Sequence, residues 1–144
     1  MKKMFLTAVV ALSTLAASAQ FMVVTTYDGD QEESMDKLTA NMGIGYEVID
    51  GITIGAAKVP AATDSTDSSL DLFLRYDLGS FMEGAYAIIQ APREEASDNM
   101  KVGVGFSFNV WNALYLEPSY TMPAKSDDDG NREGSFKFGL GYRF

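Results

Sequence analysis

The chain has 144 residues, with 20 acidic residues against 11 basic ones and with no His and no Cys. This acidic excess disfavours a nucleic-acid partner, because the phosphates would be repelled. The absence of His removes the commonest general base and transition-metal ligand, and the absence of Cys removes disulfides and thiolate sites. We therefore expect no enzyme, with no catalytic residue, no metal site and no cofactor.

The N-terminal residues have the pattern of an export signal. Lys2 and Lys3 form a positive segment, residues 5–15 form a short apolar stretch, and residues 17–19 (Ala-Ser-Ala) fit a cleavage site. The apolar stretch is too short for a membrane-spanning helix, so we predict a cleaved Sec signal peptide over residues 1–19. A buried N-terminal helix is the alternative. Residues 20–144 form the predicted folded domain.

After residue 20 the dominant pattern is an alternation of apolar and polar residues with a period of two. This period is typical of β-strands, and a helix would not sort such residues onto two faces. In chain order the predicted strands are residues 21–27, 38–48, 52–57, 70–78, 82–89, 100–110, 114–122 and 135–144. Several reach the about 9–11 residues that cross a bilayer at a tilt. Pro118 has no N–H, so we expect it at a bulge or an unpaired position.

The predicted connections alternate between long polar loops and short turns. The long loops are residues 28–37, 60–69, 91–99 and 123–133, and the short turns are Asp50-Gly51, Gly79-Ser80 and Trp111-Asn112. An outer-membrane barrel has this asymmetry and an even strand count. No run of about 18 apolar residues follows residue 20, so we expect no membrane-spanning helix. The predicted fold class is all-β, an eight-stranded antiparallel up-and-down transmembrane β-barrel.

Residue size indicates which face of each strand points outward. The polar face carries pairs of glycines: Gly43 and Gly45, Gly103 and Gly105, Gly139 and Gly141. An eight-stranded barrel has little interior room, so inward glycines would leave space for long charged side chains. The large apolar residues would then contact lipid, with aromatic residues near the turn ends forming a girdle at the membrane interface: Tyr46, Tyr76, Trp111 and Tyr142. A soluble barrel with its apolar face inward is the alternative.

The polar face also carries charged residues that we predict to share the lumen. In a narrow lumen each charge must be paired to offset its desolvation, so we expect a plug of salt bridges and hydrogen bonds. A conduction path is the alternative. The predicted lumen charge network consists of Glu47, Asp71, Arg75, Asp77, Glu83, Lys101, Glu117, Lys137 and Arg143.

Residues 126–131 (Ser-Asp-Asp-Asp-Gly-Asn) form an acidic stretch in the last long loop. Carboxylates are suitable ligands for calcium, but the stretch does not match the EF-hand loop. Counted from Asp127, the sixth position is Arg132 and the twelfth is Phe138. We therefore predict a solvated turn, with calcium binding by Asp127–Asp129 as the alternative.

The last strand carries a further signal in its alternating apolar residues: Phe136, Phe138, Leu140, Tyr142 and Phe144. This stretch resembles the C-terminal β-signal of bacterial outer-membrane proteins, which the barrel assembly machinery reads. With the export signal, the chain resembles the small eight-stranded barrels of the OmpA and OmpX type, in their barrel domain only. The resemblance implies the outer membrane of a Gram-negative cell, with the lipid bilayer and the assembly machinery as partners. We predict a monomer.

These observations favour an integral outer-membrane barrel with a mostly plugged lumen and acidic loops that serve envelope structure or surface interaction. A narrow, porin-like channel or carrier for small solutes is one alternative, and a soluble periplasmic ligand-binding barrel is another. The acyltransferase and protease members of the small outer-membrane barrels rely on His, which this chain lacks. The resemblance therefore does not imply an enzyme.

Overall fold

The structure is a computed structural model that describes residues 21–27, 34–39, 41–59, 69–93 and 96–144. The predicted signal peptide, residues 1–19, lies outside the described residues, as do parts of three of the predicted long loops. Within the described part, two short helices, α1 (Ser34–Thr39) and α2 (Ala96–Asn99), lie between strands. Neither of these helices is long and apolar enough to cross a membrane.

The remaining elements of the described residues are antiparallel strands. They are β1 (Phe21–Thr26), β2 (Gly43–Ile49), β3 (Ile52–Val59), β4 (Ser69–Asp77), β5 (Ala85–Pro92), β6 (Lys101–Phe106), β7 (Phe108–Trp111), β8 (Leu114–Pro123) and β9 (Ser135–Arg143). The sheet runs in the order β6-β5-β4-β3-β2-β1-β9-β8-β7, and β6 also pairs with β8. This last pairing closes the sheet into a barrel, in which every strand except β7 pairs with a neighbour on both sides.

β6 and β7 are two parts of one barrel strand. Gly105 on β6 is opposite Ser119 on β8, and Phe108 on β7 is opposite Leu116, so both parts keep the same register against β8. Counted in this way, the described residues form a closed eight-stranded antiparallel barrel. This confirms the predicted all-β fold class.

The interruption at Ser107 corrects the prediction of one continuous strand over residues 100–110. Phe106 and Ser107 do not pair with β8. In the common register they lie opposite Pro118 and Glu117. Pro118 has no N–H to offer to the ladder. On its other side, the Ser107 amide continues the pairing with the β5 side of the barrel and donates to the carbonyl oxygen of Gly84 at 2.8 Å. Pro118 therefore lies beside a locally unpaired position, as its chemistry predicts.

The prediction of a strand over residues 38–48 is wrong at its N-terminal end. Leu38 belongs to α1, and the strand β2 begins only at Gly43. The helical turn is held by the Thr39 hydroxyl, which donates to the Met35 carbonyl at 2.9 Å, and by the Thr25 hydroxyl, which donates to the Leu38 carbonyl. These local hydrogen bonds offer the backbone a partner outside the sheet.

The strand predicted over residues 82–89 also begins later, at Ala85, because residues 79–84 form a longer turn than predicted. The Leu78 carbonyl accepts the amides of Phe81 at 2.8 Å and Met82 at 3.0 Å, and Gly84 ends the turn with φ of 78°. The turn predicted at Asp50-Gly51 is present, with φ of 79° at Gly51. The last short turn is Asn112-Ala113, one residue later than predicted.

The two faces of the barrel differ as residue size predicts. Large apolar side chains at mid-strand point outward: Leu72 is 52% exposed, Val104 53% and Phe138 53%. Arg75, Glu117 and Thr121 are buried inside. Glycines make room for the large inward side chains. A Cβ on Gly55 would lie 2.3 Å from the Phe73 ring, one on Gly105 would lie 2.4 Å from the Tyr86 ring, and one on Gly141 would lie 2.9 Å from the Glu117 carboxyl carbon.

Candidate functional site

The centre of the barrel holds a buried ion pair between two strands that are not neighbours. Arg75 on β4 places its Nη1 atom 3.0 Å from Oε1 and 3.1 Å from Oε2 of Glu117 on β8. The two side chains are 9% and 5% exposed. Such charge-assisted hydrogen bonds are about twice as strong as neutral ones, and here they join opposite walls of the lumen.

A second arginine and a serine complete the layer. Nη2 of Arg143 on β9 lies 3.3 Å from Oε1 of Glu117. The Ser107 hydroxyl donates to the same Oε1 at 2.6 Å, and it accepts from Arg75 Nη2 at 2.6 Å and from Arg143 Nη2 at 2.9 Å. We call these four residues, Arg75, Ser107, Glu117 and Arg143, the plug.

Aromatic rings supplement the single carboxylate of the plug. The guanidinium carbon of Arg75 lies 3.5 Å from the centre of the Tyr86 ring, and that of Arg143 lies 4.1 Å from the centre of the Tyr115 ring. A cation over an aromatic face is attracted by the ring quadrupole, more strongly where water is excluded. The two rings thus help to hold two positive groups around one negative group.

Cavities lie on both sides of the plug within the described residues. The loop-side cavity, of about 120 Å³, opens toward the ends of the strands that lead into the long loops, and Arg75 and Glu117 lie at its base. The turn-side cavity, of about 60 Å³, lies toward the short turns and also contacts Arg75. The plug therefore separates the two halves of the lumen.

The nine predicted lumen charges fall into four groups. Arg75, Glu117 and Arg143 are brought together in the plug. Asp71, Lys101 and Lys137 line the loop-side cavity, and Glu47 and Asp77 line the turn-side cavity. Glu83 is the exception, because it is exposed in the turn before β5 rather than on a strand that faces the lumen. Glu83 lies within the turn, because the turn ends only at Gly84, which has the left-handed conformation.

Two of the acidic side chains accept hydrogen bonds from backbone amides in the short turns. Oε1 of Glu47 accepts the amide of Gly51 at 2.8 Å, and Oδ1 of Asp77 accepts the amide of Gly79 at 2.7 Å. A carboxylate that accepts a backbone N–H satisfies a donor that the turn would otherwise leave to water. These two residues therefore stabilise the end of the barrel where the turns lie.

Three residues that contact the charged groups of the plug lie outside the predicted lumen charge network. Ser107 and Tyr115 fall on the predicted polar face, but neither carries a charge. The prediction of Glu83 as a lumen residue sets the opposite parity and so predicts Tyr86 on the outward face. The structure corrects this: Tyr86 is 4% exposed and lies against Arg75. The sequence signal for an inward Tyr86 is Gly105, because the absence of a side chain there makes room for the ring.

The C-terminal strand presents its aromatic residues on the outer face. Phe136, Phe138 and Tyr142 are exposed, and the rings of Phe136 and Phe138 meet edge to face at 4.9 Å. The Phe144 amide donates to the Phe21 carbonyl at 2.9 Å, which ties the end of the chain to the start of β1. A role of this strand as an assembly signal stays a prediction.

The acidic stretch after β8 folds as a self-capped turn. Oδ1 of Asp127 accepts the amides of Asp129 at 3.1 Å and Asn131 at 2.7 Å. In the part of the chain that the structure describes, no group of three carboxylates is arranged to hold a metal ion.

Comparisons with protein-family models, with curated proteins and with solved structures gave no match for this chain.

Proposed function

We propose that the protein is an integral outer-membrane β-barrel whose plug keeps the lumen closed, and whose acidic loops serve envelope structure or surface interaction. It is not an enzyme. Its partners are the lipid bilayer and the barrel assembly machinery, and it acts as a monomer. The observation that carries the proposal is the inverted distribution of side chains: the middle of the outer face is apolar, and the buried ion network is inside.

The outer face supports a lipid environment over water. Large apolar side chains on the outer face continue from strand to strand: Ile54 on β3 lies opposite Leu74 on β4, which lies opposite Ile89 on β5, and each is more than 40% exposed. Burying such surface is favourable by about 25 cal/mol per Å², and soluble monomers rarely expose large continuous apolar patches. These arguments disfavour the soluble periplasmic barrel.

The turn end of the barrel supports the same environment. Tyr46, Tyr76, Trp111 and Tyr142 are exposed and lie near the ends of their strands. Aromatic residues with a polar group are enriched where a membrane meets water. In the proposed orientation this girdle lies at the periplasmic interface, and the long acidic loops lie outside the cell.

A charged substitution on the outer face tests the proposal. In lipid, Leu72→Arg at mid-strand is expected to lower the free energy of unfolding by about 2–4 kcal/mol. In a water-soluble barrel it would be nearly neutral, because Leu72 is already half exposed. Urea unfolding of protein folded into lipid vesicles measures the change. Asn131→Arg, which adds the same charge to an exposed loop residue, is the matched control and should have little effect.

The closed lumen is tested separately by conductance. Because the plug spans the lumen between two small cavities, purified protein in a planar bilayer should give negligible single-channel currents. Large and stable open states would favour the narrow channel instead. A folded chain that stays monomeric in water without detergent, with Leu72→Arg as stable as the parent, would contradict the membrane location.

A further inference from the structure

Outside the plug, the charged side chains of the lumen are sorted by sign along the barrel axis, with Asp71 as the exception. On the turn side of the plug, Glu47 and Asp77 line the cavity. On the loop side, Lys101 and Lys137 line the cavity, and Lys58 lies at its mouth on the outer face of β3, opposite Leu70. The protein as a whole is strongly acidic, so a cavity lined by several lysines runs against its composition.

The register of the strands places two of these lysines inside the barrel. Lys101 has the same parity on β6 as Gly103 and Gly105, which border the inward residues Thr121 and Tyr86. Lys137 has the same parity on β9 as Gly141, whose Cα faces the Glu117 carboxylate, and it lies opposite Ser119. Both side chains therefore begin on the inner face of the barrel, with Lys101 exposed at the loop end of β6 and Lys137 half-buried.

The carboxylates of the loop-side cavity do not balance its cations. Among the described residues that line it, Asp71 and Glu117 carry carboxylates. Glu117 already contacts two guanidinium groups in the plug. Asp71 is thus set against Lys101 and Lys137, and Arg75 adds its charge at the base. Among the described residues, the charges that face the cavity sum to a positive value.

The neutral residues of the cavity add hydrogen-bond donors. Hydroxyl and amide groups come from Thr26, Asn41, Gln90, Ser119 and Thr121. The volume of about 120 Å³ holds a few water molecules or one small ion, but not a drug-sized ligand. Positive charge, several donors and a small volume together match the chemistry of an oxyanion.

We propose that the loop-side cavity binds a small, multiply charged oxyanion of the phosphate class. Lys101 and Lys137 supply the charge, the hydroxyl and amide groups supply further hydrogen bonds, and Asp71 weakens the binding. The inference rests on the interior of the barrel alone and does not depend on the membrane location.

Titration of the full chain in detergent micelles with inorganic phosphate tests the site. Methyl resonances of Val24, Val59 and Ile88, which line the cavity, should shift in a saturable way, whereas those of Ile54 on the outer face should not. Chloride at equal ionic strength is the control for a general salt effect.

Three single-charge variants sharpen the test. Lys101→Met should raise the Kd for phosphate about tenfold, the effect expected when one charged hydrogen-bond partner is lost. Lys125→Met removes an exposed lysine outside the cavity and should change the Kd less than about twofold. Asp71→Asn should tighten binding about threefold, because it removes a repulsive charge. A variant damaged in folding would not bind more tightly, so the Asp71 result separates charge from structure.

Two results would overturn the proposal. One is the absence of saturable shifts at cavity resonances, and the other is an equal loss of binding in Lys101→Met and Lys125→Met, which would point to diffuse surface charge. Saturable binding by a barrel that proves soluble in water would leave this site intact and remove only the membrane location. Loss of binding by a barrel that requires lipid would do the reverse.

Discussion

Two ion pairs in this molecule have short contacts in opposite surroundings. In the plug, Arg75 and Glu117 meet at 3.0 Å and are 9% and 5% exposed. Near the loop end, Lys125 and Asp98 meet at 2.5 Å and are 60% and 67% exposed. Water screens the second pair, and holding two long side chains in place costs entropy, so its shorter distance does not make it stronger. Burial, and not distance, decides how much the chain depends on each pair.

The carboxylate of the plug has several buried partners at once. Glu117 accepts hydrogen bonds from Arg75, Arg143 and Ser107. Removing one member of the plug therefore leaves other buried polar groups without a partner, which is more costly than the loss of the contact itself. The surface pair has water as a substitute partner.

The largest effect is expected for Glu117→Ala. The variant leaves Arg75 and Arg143 facing each other without their shared carboxylate, and we expect it to lower the free energy of unfolding by about 3–5 kcal/mol. Urea unfolding in lipid or detergent, followed by the fluorescence of Trp111, measures the loss. Glu133→Ala removes the same charge from an exposed loop residue and is the control. A loss below about 1 kcal/mol would mean that water solvates the plug.

A smaller effect is expected for Ser107→Ala. The hydroxyl contacts all three charged groups of the plug, so its removal should cost about 1–3 kcal/mol. The matched control is Ser126→Ala, because the Ser126 hydroxyl accepts from Arg132 Nε at 3.3 Å in an exposed loop. If both serine variants lost the same stability, the buried position would have no special weight.

The smallest effect is expected for the surface pair. A double-mutant cycle with Lys125→Ala and Asp98→Ala should give a coupling energy of about 0.2–1 kcal/mol, falling further at high salt. The equivalent cycle with Arg75→Ala and Glu117→Ala should give a clearly larger value. Equal coupling in the two cycles would remove the distinction on which the comparison rests.

The sequence predicts the barrel well because two of its signals are local. Alternation along each strand fixes which residues share a face, and the contrast between small polar-face residues and large apolar ones fixes which face is inward. Gly141 lies beside Glu117 and Gly105 lies beside Tyr86, so both glycines make room for a large inward side chain, as the glycine pattern predicts. The register between strands then follows from the parity of each strand and from the short turns.

The sequence predicts less where the deciding contacts are distant in the chain. Ser107 joins the plug because it lies opposite Glu117, ten residues later, and donates its hydroxyl hydrogen to that carboxylate. The parity of β5 depends on where a six-residue turn ends, and an acidic residue within that turn, Glu83, misleads the assignment. Alternation continues through α1 as well, where hydrogen bonds from threonine hydroxyls decide the local structure.

The pairing of glycines with bulky inward residues has a consequence for redesign. Interior space is held by a few large groups, such as Phe73 and Tyr86, and the glycines beside them have no side chain that expands into a vacated volume. Trimming those two rings to alanine would leave the wall intact and the freed space open. The free width inside this barrel is therefore set at a small number of positions, and a narrow pore would also require removal of the plug.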